Sequence, residues 1–281
     1  MSAPARFAVV TPDPAAWLHM RAFDEVAEAI HQGLLELGYP CRRIVGALSP
    51  DCVNVLFGAH HLMESMRLPP QTILFNLEQI VPGSLWVTPA YLALLRAHRV
   101  WDYSARNVEA LRALGAGRVA HVPVGYVKSL ERIAAQPDDI DVLFYGRLIP
   151  RRTALLEKLA NRGVRVVAVN SSYGVERDAS IARAKIVLNV HVVDGARLET
   201  ARCFYAMING RFVLSEDSED AVESGYAAGM ALAGYDDLEE RCLWFLERPA
   251  ERAALARAGR ELIRARPQAE LLRPAVAQLH P

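Results

Sequence analysis

Ten short apolar runs recur along the chain, each followed by a stretch with helical spacing, and this alternation limits the fold more than any other feature. The runs are 6–10 (RFAVV), 53–57 (VNVLF), 72–75 (TILF), 98–101 (HRVW), 118–122 (RVAHV), 140–145 (IDVLFY), 164–169 (VRVVAV), 185–190 (KIVLNV), 211–214 (RFVL) and 229–233 (GMALA). They are continuous rather than alternating, as expected of strands covered on both faces. Between them lie helical patterns. In 23–37, Phe23, Val26, Ala27, Ile30, Leu34 and Leu37 share one face, and Gly38 suits the stop. Strands alternating with helices predict an α/β protein with parallel sheets and helices on both sides. Ten strands divide more naturally into two sheets of about five than into one.

A length of 281 residues also suggests about two domains. The charged, Pro137-containing stretch VKSLERIAAQPDD (127–139) starts no strand and marks the seam. The expected division is a first domain over 1–127, a linker over 128–139 and a second domain over 140–281. The helical stretch 250–281 is assigned to the second domain, with a return to the first left open.

Composition narrows the function classes. Basic and acidic residues balance at 32 each, so the basic excess of a nucleic-acid-binding surface is missing and no nucleic-acid partner is expected. No apolar run approaches the roughly 18 residues of a membrane span. The start, MSAPARFAVV, is too short and unpatterned for a signal peptide. Cys41, Cys52, Cys203 and Cys242 show no paired spacing and read as reduced thiols of a cytoplasmic protein.

Three constellations carry possible chemistry. In VLFYGRLIPRR (142–152) an apolar strand meets Gly146, then Arg147, Arg151 and Arg152 at a helix start. Ligands of open parallel sheets bind beyond the carboxyl ends of strands, and guanidinium groups beside helix N-terminal amides suit an anion. A solvated basic turn is the plain alternative. In DGARLETARCFYAMINGRFVLSEDSED (194–220) a helix is expected from about Arg197 to Asn209. Glu199 and Arg202 lie one turn apart on it, either as a surface pair or at a second phosphate position. The acidic run from Glu216 follows a strand's carboxyl end, the edge for hydroxyl recognition, or is a solvated loop. In FGAHHLM, His60 and His61 follow VNVLF at the same kind of edge, as general base or acceptor contact, or as a structural histidine. Adjacent side chains rarely face the same way, so at most one histidine is expected in the site. Glu78, just past TILF, is expected to line the same edge. Asp139-Ile140-Asp141 has a D-x-D pattern but opens a strand, the wrong edge, and the eight histidines show no metal-ligand spacing. No protein-held metal is expected.

Taken in order, these residues resemble the GT-B fold of nucleotide-sugar glycosyltransferases. HVPVGY (121–126) is similar to the V-P-x-G segment that closes the first domain there, and VLFYGRLIPRR to the G-R-x-x-x-[KR] diphosphate turn. ERDASIARAKIVLNVH (176–191) resembles the helix and strand that carry the nucleotide. FNLEQI (75–80), VWDYSARN (100–107) and VLSEDSED look like a group of small, poorly characterised bacterial and viral glycosyltransferase-like proteins. The resemblance implies two Rossmann-like domains whose parallel sheets face each other across a cleft, with donor on the second and acceptor on the first. It implies a metal-independent glycosyltransferase that uses a nucleotide-sugar donor, an unknown acceptor and no further cofactor. Gly146, Arg147, Arg151, Arg152 and Arg202 would hold the diphosphate, and Glu199, Tyr205 and Glu216 the ribose or sugar. His60, His61 and Glu78 would be the catalytic candidates. There are two departures. Many retaining members carry two glutamates separated by seven residues, where this chain has Arg197 and Tyr205. VVTPDPAAW (9–17) stands where a Gly-rich loop is usual. They leave open an epimerase or hydrolase of the same fold, or a non-catalytic sugar-nucleotide-binding relative.

Overall fold

A computed structural model describes residues 5–15, 18–61 and 67–279. The outermost residues of both termini, the end of VVTPDPAAW and the end of FGAHHLM lie outside the described residues. The chain forms two compact units: one reaches to Val127 and resumes at Arg266, and the other is Lys128–Ala265.

The first unit holds β1 (Phe7–Thr11), α1 (Asp24–Glu36), β2 (Cys41–Val45), β3 (Val53–Phe57), β4 (Ile73–Asn76), α2 (Pro89–Ala97), β5 (Arg99–Asp102), α3 (Ala105–Ala113) and β6 (Val119–His121). Its sheet has the order β2-β1-β3-β4-β5-β6, and every pairing is parallel. The second unit holds β7 (Ile140–Tyr145), α4 (Pro150–Asn161), β8 (Val166–Val169), α5 (Val175–Ala182), β9 (Ala184–Asn189) and α6 (Thr200–Ile208). It continues with β10 (Val213–Glu216), β11 (Ala231–Ala233), α7 (Leu238–Leu246) and α8 (Pro249–Arg264). Its sheet runs β11-β10-β9-β7-β8, again all parallel. All ten expected strands are present. Interior strands such as β3, β7 and β9 are buried along nearly their whole length, as double-sided coverage requires.

One strand was not expected. β2 is an edge strand paired only with β1, and its residues are half-buried or exposed. An edge needs no apolar run, so CRRIV gives none.

The expected second-domain boundary needs correction at both ends. The last helix, α9 (Gln268–Ala277), belongs to the first unit and packs on α1. Gly33 allows the close approach: a Cβ there would sit 2.7 Å from Leu272 Cδ1. The returning chain is held by polar bonds as well. The fully buried Gln268 accepts from Gly125 N (2.7 Å), and its own N–H donates to Tyr126 O (2.9 Å). Nor is 128–139 a free linker. Leu130 is buried, and Asn209 Oδ1 accepts from the N–H groups of Arg132 and Ile133, both at 2.9 Å, which fastens the segment to the second unit.

Both sheets have a topological switch point, between β1 and β3 and between β7 and β9, where neighbouring strands send their connections to opposite sides. The carboxyl ends of the strands there form the crevice in which open α/β sheets bind ligands.

Candidate functional site

At the second switch point, β7 ends at Tyr145 and the chain turns through Gly146 and Arg147 into α4. Gly146 has φ +136°, and a Cβ on it would meet Arg202 Nη2 at 2.5 Å. The turn therefore needs glycine for its backbone, and a side chain there would also displace the tip of Arg202. Arg202 reaches across to donate from Nε to Tyr145 O (2.9 Å), and Tyr145 returns a bond from its hydroxyl to Arg202 O (3.0 Å).

The arginines expected to face an anion are mostly engaged with carboxylates. Arg151 donates to both carboxylate oxygens of Glu216, at 2.5 and 2.6 Å, and to Asp194 Oδ1 at 2.7 Å. Its guanidinium lies 3.8 Å from the Tyr235 ring centroid. Arg152, only 3% exposed at its side chain, donates to Val190 O (2.8 Å), Arg147 O (3.0 Å) and Glu199. Arg202 binds Glu199 from the other side and also Asn189 Oδ1. Both of these guanidinium groups lie about 5 Å from the face of buried Phe144. Burial pushes the Glu199 carboxyl up, but Arg202 and Arg152 outweigh it and hold the group below the usual range. The role expected for Glu199, accepting sugar hydroxyls, meets competition from two arginines.

Glu216 is similarly occupied, because its Oε2 also accepts from His191 N (2.9 Å). Arg151 and Arg152 thus tie the start of α4 to the chain leaving β9 and β10. Arg147 differs. It is exposed, and its side chain has no hydrogen bond or ion pair among the described residues. Four guanidinium groups stand here against the carboxylates of Glu199, Glu216 and Asp194, and the unbalanced one is Arg147.

Tyr205 does not join this group. It is buried, with its hydroxyl donating to Asp178 Oδ2 (2.8 Å) and Arg177 over its ring (4.5 Å). A residue not singled out from sequence does lie beside it. His191 is 1% exposed, two residues past β9, and neither ring nitrogen has a hydrogen-bond partner. Its position just after KIVLNV was the same signal that drew attention to His60. Asp139 and Asp141 flank the start of β7 and pair with Arg183 and Lys185, as a strand-start reading expects.

In the first unit, His60 and His61 follow β3 in a short 3-10 turn, and Glu78 lies two residues past β4. The two rings lie 3.9 Å apart between centroids, and both contact Trp86. A 3-10 turn rotates successive residues by only about 120°, which leaves room for both rings on one side. His60 Nε2 is 3.3 Å from Glu78 Oε1. Burial lowers His60 to about 3, helped by His61, and raises Glu78 to about 7. The contact is therefore one between a neutral imidazole and a carboxyl group that titrates near neutrality.

A buried network fixes the Glu78 loop. Asn76 donates to Glu78 O (2.8 Å) and to Asp102 Oδ2 (2.5 Å), and accepts from Tyr91 OH (2.8 Å) and Glu78 N (3.1 Å). Asn107 donates to Glu78 O (2.9 Å) and accepts from Ile80 N (3.0 Å). The backbone of 78–80 is thus held by Asn76 at the end of β4 and by Asn107 on α3, partners that no local pattern signals.

Two all-parallel sheets of this kind make a GT-B fold, and solved structures of that fold resemble the chain along its length. HepE of Anabaena, in complex with UDP and glucose, matches with TM-score 0.61 at 10% identity, over 98% of this chain and 99% of that one. Sucrose-phosphate synthase of Thermosynechococcus elongatus matches with TM-score 0.58 at 13% identity, over 98% of each. The model of a glycosyl transferase-like family matches residues 130–270, half of the chain, and the chain belongs to that family. Among curated relatives, the uncharacterized protein L140 of Acanthamoeba polyphaga mimivirus is 30% identical over 184 residues, 62% of this chain and 59% of its own length. The uncharacterized protein R358 of the same virus is 26% identical over 155 residues, 53% of this chain and 54% of its own length. The chain thus spans little more than half the length of these relatives. Among the described residues, no helix is long and apolar enough to cross a membrane.

Proposed function

We propose that the chain transfers a sugar from a nucleoside-diphosphate sugar to an acceptor, with the diphosphate at the β7–α4 turn and no metal ion. The observation that carries this reading is Arg147, an exposed guanidinium without a partner at the switch point of the second sheet. It stands beside α4, a 12-residue helix with no side-chain N-cap. A diphosphate there would gain a charge-assisted partner and the positive end of the helix. Its charge builds as the glycosidic bond breaks, so a fixed cation lowers that barrier. HepE, of the same fold, was solved with UDP-glucose. Arg151, Arg152 and Arg202 would act mainly by holding the turn and the loops after β9 and β10 in place. His191 is well placed for the donor, because its buried nitrogens lack partners. The first unit would supply the acid–base group, with Glu78 as first choice.

Arg147→Ala should weaken nucleoside diphosphate binding by about 1.5–3 kcal/mol, the value of a lost charged hydrogen bond. Bare nucleoside binding should change much less. Calorimetric titration measures both, and equal losses would remove the phosphate role.

Metal independence has its own test. Asp139 and Asp141 are held by Arg183 and Lys185 at the far end of β7, so turnover should survive a chelator. Activity lost in chelator and restored by manganese would overturn that part of the proposal.

A second reading, a nucleotide-sugar-binding relative without turnover, is favoured by Tyr205, which is buried and bonded where related enzymes carry a glutamate. Donor bound but never consumed with any acceptor would select it. Donor consumed without an acceptor would instead indicate a hydrolase or epimerase.

A further inference from the structure

The first unit contains a cavity of about 350 Å³ at the opposite edge of its sheet from His60 and Glu78. Arg99 opens β5, Arg118 directly precedes β6, and Arg112 lies in the last turn of α3. All three line the cavity, with Trp101 and Gln278, and no carboxylate is among the lining residues. Each guanidinium is already oriented by one bond to a backbone carbonyl. Arg99 donates to Gln278 O (3.2 Å), Arg112 to Val119 O (3.0 Å) and Arg118 to Ala97 O (2.7 Å). None has an acidic partner among the described residues. The Trp101 ring is fully buried, and its indole N–H has no acceptor.

Capping of helix ends explains part of this arrangement. Ala97 O and Gln278 O belong to the carboxyl ends of α2 and α9, where a cation is favoured. Capping uses one of the five donors on Arg99 and on Arg118, Arg112 bonds Val119 O of β6 instead, and neither role requires all three to line one hollow. Arg151, Arg152, Arg202 and Arg260 pair with carboxylates, whereas Arg252 donates to backbone carbonyls as these three do. Arg99, Arg112 and Arg118 line one hollow whose wall carries no carboxylate, and a concave wall focuses their field.

We infer that this cavity is an anion site for a phosphate ester group, held by Arg99, Arg112 and Arg118. The fork geometry of arginine fits phosphate oxygens two at a time. The volume lies near the lower end of the range for small-molecule pockets, roughly 300–1,000 Å³. It therefore suits a phosphate-bearing metabolite, or a headgroup inserted from outside, rather than a large ligand. Binding would neutralise the cluster, and the Trp101 indole behind the arginines reports on it.

The test follows the Trp101 indole N–H resonance, identified by its absence in Trp101→Phe, during titration with inorganic pyrophosphate. A parallel arm measures co-sedimentation with vesicles containing phosphatidic acid. A saturable shift of that resonance is expected, weakened roughly tenfold or more in Arg112→Ala/Arg118→Ala, since charged bonds are lost. Arg96→Ala should leave it unchanged, because Arg96 is a neighbouring exposed arginine that bonds Leu114 O (2.6 Å) and does not line the cavity. Arg112 and Arg118 are exposed, so the double variant should fold, and calorimetry on it decides the question even if Trp101→Phe does not. Arginine-dependent sedimentation without a pyrophosphate shift assigns the site to a lipid phosphate. No response to either probe that depends on Arg112 and Arg118 overturns the inference.

Discussion

Glu199→Gln should destabilise the second unit by about 3–5 kcal/mol, the usual cost of removing one partner from a buried ion pair. The carboxylate lies between Arg152 and Arg202, whose side chains are 3% and 12% exposed. Glutamine keeps the shape but removes the charge, leaving two guanidinium groups facing one another over Phe144. Chemical denaturation measures the loss, and a change below about 1 kcal/mol would show that the three side chains are not coupled. The pH dependence checks the same point. The folded pKa of Glu199 lies below its ordinary value, so its stabilisation is present above about 4.5 and is lost as pH falls through the folded value. Wild type should lose stability along that acid limb, and the glutamine variant should lose less. The variant also separates two roles. If Glu199 only braces the arginines, folded variant protein binds nucleoside as wild type does. If it accepts ribose hydroxyls, nucleoside affinity falls.

That cluster also shows where the sequence stops being informative. The strands were legible because each is a local apolar run, and α1 because its face repeats at helical spacing. The carboxyl edge of β7 could be singled out for the same local reason, a glycine and three arginines after a strand. What the arginines bind was not legible. Glu199 is 47 residues from Arg152, and Glu216 is 65 from Arg151. Nothing local distinguishes a guanidinium that meets a ligand from one that meets a carboxylate. The same distance left the return of α9 to α1 undecided, with Gly33 inside α1 as a local trace. β2 escaped for the opposite reason: an edge strand is under little pressure to be apolar.

The first unit yields the more consequential expectation for chemistry. From sequence, His60 and His61 were ahead of Glu78 as the acid–base group. We place Glu78 first on physical grounds, as part of the proposed function. A general base works best when its pKa is near the working pH. Burial among Phe23, Trp86 and Tyr91 lowers His60 to about 3, so it is a weak base at neutrality, while burial raises Glu78 to about 7. Glu78→Gln should therefore lower turnover by about 100-fold or more if Glu78 transfers the proton, with nucleoside diphosphate affinity nearly constant. A base must be deprotonated to act, so wild-type turnover should rise with pH through about 7, and the glutamine variant should lose that limb. His60→Ala should move the limb rather than abolish it, because it changes what surrounds the carboxyl. An independent readout comes from stability. The folded state keeps Glu78 protonated above its ordinary pKa, so wild type should lose stability as pH rises from about 4.5 through about 7. The buried carboxyl of Asp102 is raised by burial in the same direction, to about 7, against the bonds from Asn76, Ser104 and Asn107. Glu78→Gln should thus reduce that slope without removing it. A glutamine variant that keeps both full turnover and the wild-type pH limb would show that Glu78 takes no part in proton transfer. One that shows the reduced stability slope but keeps turnover would leave Glu78 as a buried acid of the fold.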